Sequence, residues 1–187
     1  MKNSAIKPIR IILPILLSFL FSCATTQQKH SQSKDAAFYN KRGFASVEKG
    51  QYDEGISDYN KAIDINPRYV EAYSNRGNAY FYKRQYDQAM LDYTKALEIN
   101  PKYAKAYNNR GIVYRLKRQY DQAISDYNKA LEIDPGFGEA YNNRGVAYYL
   151  KGEFDKSWED VKKAQSLGYK IHPEFLDHLR KASGRQN

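Results

Sequence analysis

The chain has 187 residues, enough for one domain with a real core, and 42% hydrophobic against 27% charged residues excludes an intrinsically disordered polypeptide. Its formal charge of +9 falls to +6 without residues 1–22, which carry Lys2, Lys7 and Arg10 and no acid, an excess too small to establish nucleic-acid binding. The single cysteine, Cys23, excludes an intrachain disulfide.

Residues 1–22 read as a targeting segment: a short basic region ending at Arg10, then an apolar run from Ile11 to Phe21. As a helix that run would cover about 16 Å, roughly half of a hydrocarbon core. Pro14 works further against a stable span. The run is the apolar region of a signal peptide. It ends at Leu20-Phe21-Ser22-Cys23, which resembles the lipobox of bacterial lipoproteins, with Ser22 as the small residue before the cysteine and Phe21 bulkier than that family's usual choice. The resemblance implies acylation (palmitate among the chains) at Cys23 and a lipid-anchored place at the bacterial cell envelope. In a double-membraned host, Ala24 rather than Asp implies the periplasmic side of the outer membrane. The alternative is an ordinary secretory signal and a secreted or periplasmic soluble protein. Residues 23–35 are then the anchored cysteine and a polar tether, with no apolar period from Ala24 to Asp35.

From Ala36 the sequence repeats every 34 residues without insertion, giving units at 36–69, 70–103, 104–137 and 138–171. Positions are counted from 1 in each unit. Glycine holds position 8 (Gly43, Gly77, Gly111, Gly145) and alanine position 27 (Ala62, Ala96, Ala130, Ala164). Proline holds position 32 in the first three units (Pro67, Pro101, Pro135). Aromatic or small residues at 4, 8 and 11, such as Tyr73, Gly77 and Tyr80, make the stripe of one helix; positions 17 to 28, such as Tyr86 to Leu97, make a second. A polar break such as Lys83-Arg84-Gln85 separates them, an aspartate follows in the first turn of the second helix, and the proline closes it. Small residues let the helices approach, and the tyrosines are expected to fill the core rather than to offer a stacking platform for bases.

This pattern resembles the tetratricopeptide repeat over residues 36–171. The resemblance implies an all-α solenoid (an α-α superhelix) of four helical hairpins, since one hairpin cannot bury both its faces. The fourth unit departs from the family with Ser157, Trp158 and Tyr169, as terminal units do. Residues 172–187 continue the count, with Phe175, Leu179 and Ala182 at positions 4, 8 and 11 behind Pro173, and read as a capping helix and tail. Arginine at position 7 (Arg42, Arg76, Arg110, Arg144) and aspartate at 23 (Asp58, Asp92, Asp126, Asp160) should lie level in the hairpin. They are expected to form four ion pairs, within a repeat or across to its neighbour; the alternative is solvated charges that share a period.

In the family the first helices line a concave face that holds extended peptides. By position this face carries Asn40, Phe44 and Val47, then Ser74, Asn78 and Phe81, and next Asn108, Ile112 and Arg115. Asn142, Val146 and Tyr149 complete it, with Asn75, Asn109 and Asn143 at position 6. Amides donate and accept, so such a ladder can grip a peptide main chain or, alternatively, brace neighbouring helices. A subclass clamps a C-terminal carboxylate; Asn75 and Lys105 fit its pattern, whereas Asn40, Phe44 and Asn109 do not. No catalytic constellation is visible: His30 lies in the tether, His172 and His178 at the cap, and no phosphate loop or activated serine is present. No cofactor, metal or small-molecule substrate is expected. The expectation is a non-catalytic scaffold whose partners are proteins or peptides, not nucleic acid; the alternative is a structural subunit of a secretion or pilus assembly that uses its convex face.

Overall fold

A computed structural model describes residues 35–185. The expected leader, Cys23 and the tether up to Lys34 lie outside the described residues; Asp35 already belongs to helix α1, over 35–48. The remaining helices are α2 (Tyr52–Ile65), α3 (Val70–Tyr82), α4 (Tyr86–Ile99) and α5 (Ala104–Leu116). They continue with α6 (Tyr120–Ile133), α7 (Gly138–Leu150), α8 (Phe154–Ser166) and α9 (Pro173–Ser183). The described residues are all helix and connection, packed as consecutive hairpins.

Each hairpin closes on a glycine and a ring. A Cβ on Gly77 would stand 2.7 Å from Tyr93 Cε1, and one on Gly111 2.6 Å from Tyr127 Cε1. Those rings, like Tyr59, are fully buried. The fourth unit has Val161 at that place, and a Cβ on Gly145 would meet nothing nearer than 3.3 Å. The other tyrosines are less buried than expected: those at positions 4, 11 and 17 are half-buried, and Tyr82 is exposed. Burial pushes the hydroxyls of Tyr59, Tyr93 and Tyr127 up, the last to about 12.

Connections follow local chemistry. Asn66, Asn100 and Asp134 each accept the backbone N–H two residues on, across the proline, as an Asx turn. At position 15 the chain turns through positive φ, at Gly50 and Gly152 in the outer units and at Arg84 and Arg118 (φ 59°) in the inner ones. The two arginines carry a left-handed cost of about 1 kcal/mol that glycine avoids.

All four arginine–aspartate pairs form, and all within one repeat. Arg76, Arg110 and Arg144 each grip their aspartate with Nε and Nη2 at 2.7–2.8 Å. Arg42 does so at 2.5–2.6 Å. The inner three also donate back to position 25 of the preceding unit: Arg76 to Asn60 (2.6 Å), Arg110 to Thr94 (3.2 Å) and Arg144 to Asn128 (2.6 Å). Each guanidinium also lies against its position-4 tyrosine, 5.0–5.6 Å from the ring centre. Burial pushes Asp92 and Asp160 up against the pull of their arginines. Such a pair adds little net stability, yet removing one member strands a buried charge.

A second ladder crosses repeats. Lys83 pairs with Asp53, Lys117 with Asp87 (2.8 Å) and Lys151 with Asp121 (2.7 Å), each 30 residues apart. Arg185 to Asp155 (2.7 Å) extends it through α9. Leu179, at the glycine position, is fully buried, since among the described residues no second helix follows α9 to crowd it, and Trp158 Nε1 donates to Ser183 Oγ at 3.0 Å. Ser157, in place of alanine, donates to the Gly145 carbonyl at 2.8 Å, so the fourth unit's substitution is satisfied.

Glycine to alanine inside a helix ordinarily gains about 1 kcal/mol. Here Gly111→Ala should instead lose about 1–3 kcal/mol through overpacking against Tyr127, and Gly145→Ala distinctly less; urea melts that rank them the other way would refute the interlock. In a double-mutant cycle, Arg110→Ala alone should cost about 3 kcal/mol. Its coupling to Asp126→Ala should be large, and a coupling near zero would make the pair ornamental.

Candidate peptide-binding groove

Helix α3 touches α5 and α5 touches α7, whereas no comparable contact joins α2 to α4 or α4 to α6. The first helices of successive units are therefore the closer set, and they form the inner side of the curve. Their inward positions 9, 12 and 13 include a half-buried Phe81 and Ile112 beside exposed Phe44, Tyr82, Leu116 and Leu150. Several large apolar side chains are thus left without cover on one face.

The asparagines are spent largely on each other. Asn75 donates to Asn40 Oδ1 (3.0 Å), and Asn40 in turn reaches the Tyr69 hydroxyl at 3.4 Å. Asn109 donates to Asn78 Oδ1 (2.9 Å), which also accepts from the buried Tyr93 hydroxyl (2.8 Å). Asn143 donates to Asn108 Oδ1 (3.0 Å), and both are buried. Bracing between neighbouring first helices is thus the role these amides fill, and Asn143 does not reach the open face. Ser74 is buried too, and Val47 lies over Gly55, its Cγ2 2.6 Å from where a Cβ would stand. Tyr149 turns toward the cap, 5.8 Å from Phe154 and 5.7 Å from Phe175 by ring centres. Asn142 and Val146 are half-buried on α7, and Lys105 is exposed on α5.

Four of the expected residues do converge. A cleft of about 150 Å³ is lined by Asn78, Phe81, Tyr82 and Tyr93 of the second unit. Asn109 and Ile112 of the third and Glu139 of the fourth complete it. Tyr82, Tyr93 and Glu139 are not among the residues expected at the groove; the signal for Tyr82 is the apolar run at position 13 with Leu116 and Leu150. Glu139 accepts Asn108 Nδ2 at 3.3 Å. The Tyr127 hydroxyl is buried without a partner because Ile112 stands where Asn78 serves Tyr93, and Arg115, beside that hydroxyl, has its Nε buried without a partner too. A larger recess of about 410 Å³ sits between the α7–α8 turn and the end of α9.

Residues 70–103 and 104–137 match the family described as tetratricopeptide repeat, and 43–83 and 126–159 match related repeat models. The first repeat domain of Spaghetti (RPAP3), bound to the HSP90 peptide SRMEEVD, is 30% identical, with a TM-score of 0.61 over 64% of this chain and 94% of that one. The chain belongs to the tetratricopeptide-repeat family. A crystal structure of MamA is 26% identical, with a TM-score of 0.64 over 96% of this chain and 100% of that one. The repeat domain of Arabidopsis OM64 is 28% identical, with a TM-score of 0.60 over 65% and 98%. No curated protein matches the chain. Tetratricopeptide-repeat proteins generally serve as non-catalytic scaffolds for protein–protein interaction, and the present chain carries that scaffold. Among the described residues no group of three or more His, Cys, Asp and Glu is placed to hold a metal ion, and no helix is long and apolar enough to cross a membrane.

Proposed function

We propose that the protein is a tethered adaptor of the bacterial cell envelope, acylated at Cys23, that holds an extended segment of a partner protein in its inner groove. The observation that carries this reading is the open cleft between the second and third units, where Phe81, Tyr82 and Ile112 stand beside amide and carboxylate groups. An apolar cleft with a few polar groups suits a short linear segment. The bound peptide of the Spaghetti domain supports the same mode. The outer helices support it by contrast: their position 22 is Ser57, Leu91, Ser125 and Glu159, so Leu91 is the one exposed apolar residue in that row. A structural subunit gripped by its outer face would need more. A carboxylate clamp is disfavoured by Glu139, which puts a negative charge in the cleft.

A photo-crosslinker at Phe81 or Ile112 should form adducts mapping to one short linear stretch of a partner. Adducts from Leu91 and Ser125 instead would favour the structural subunit. In bacteria fed labelled palmitate, the wild type should carry label in the membrane fraction, and Cys23→Ala should lose both; an unlabelled, soluble wild type would indicate an ordinary secretory signal.

A further inference from the structure

Six carboxylates among the described residues are buried or half-buried. Asp58, Asp92, Asp126 and Asp160 have arginine partners, and Glu153 has Lys151 (2.8 Å) and Lys156 (2.6 Å). Glu139 alone has no cation within ion-pair distance. Its one protein partner is the Asn108 amide at 3.3 Å, a neutral donor at the long end of the range. It lines the cleft with Phe81 and Tyr82, and no lysine or arginine is among the residues that line it. A partly desolvated carboxylate without a counter-ion is costly, and among these six Glu139 is the one left in that state.

We propose that the cleft takes a lysine or arginine side chain of the bound peptide, with Glu139 as counter-ion and Phe81 and Tyr82 as walls for its methylene stem. The aromatic faces favour a cation over an apolar side chain of the same length. The charge sense is opposite to that of a groove built for a C-terminal carboxylate. This rests on the groove reading above and assigns its ligand class.

The test is selection of dodecapeptides from a displayed random library on the full-length protein and on its Glu139→Gln variant. Glutamine keeps the oxygen that accepts Asn108 and removes an unpaired charge, so the variant should melt no lower than the wild type. Peptides chosen by the wild type should be enriched in lysine or arginine beside an apolar residue. Replacing that residue by glutamine in the best peptide should weaken binding by about tenfold, and Glu139→Gln should erase the difference while leaving the glutamine peptide's affinity unchanged. Acidic or neutral binders, or a basic preference that survives Glu139→Gln, would overturn this inference and leave the groove standing. No binder to either protein would overturn both.

Discussion

The spacing of the first three hairpins depends on the contact between a position-8 glycine and the ring at position 24. With no Cβ on Gly77 or Gly111, the first helix of a hairpin lies directly on the tyrosine of the second, and the ring has nowhere to move because it is fully buried. That contact fixes the distance between paired helices, which decides whether Arg110 and Asp126 stand at hydrogen-bond length. The bidentate grip in turn aims Nη1 at the preceding unit. One steric fact within a hairpin thus sets the register between hairpins, and the core runs across unit boundaries, as where Ala89 and Tyr93 of one unit pack with Ala106 and Val113 of the next.

The ends of the array differ for the same reason. Arg42 has its aspartate but, among the described residues, no preceding unit to reach, and its side chain is 48% exposed, against 18–20% for the inner three. At the other end α9 behaves as half a repeat. It keeps the register of the cross-repeat ladder through Arg185 and fills the glycine position with Leu179, since no ring competes for that space. Trp158 and Tyr169, which look like decay of the fourth unit, belong to the cluster that α9 covers.

The helices, their pairing and the arginine–aspartate contacts were legible because each follows from spacing inside a 34-residue period. What was not legible depends on choices spacing leaves open. An asparagine amide suits a peptide or a neighbouring helix equally well, and only the distance between α5 and α7 decides that Asn108 and Asn143 meet each other. The left-handed turn at Arg84 and Arg118 had a signal in Gly50 and Gly152 at the same position, hidden because arginine reads as an ordinary polar loop residue. The lysine–aspartate ladder was missed because its partners lie in different units and each had a sufficient local explanation.

Four repeats in one chain serve as an internal comparison that separates architecture from recognition. Positions 7, 8, 18, 23 and 27 are identical in all four units, and each has a structural contact that explains it. Position 2 runs Ala37, Glu71, Lys105, Glu139; position 9 runs Phe44, Asn78, Ile112, Val146; position 12 runs Val47, Phe81, Arg115, Tyr149. These lie on the first helices, and Asn78, Phe81, Ile112 and Glu139 meet in one cleft. Packing accounts for part of this variety, since Val47 lies over Gly55, Tyr149 meets the cap and Asn78 serves Tyr93, but the same backbone tolerates phenylalanine, asparagine, isoleucine and valine at position 9. A surface that differs from unit to unit on a frame that does not is suited to reading a ligand that itself differs along its length, and an extended peptide is such a ligand.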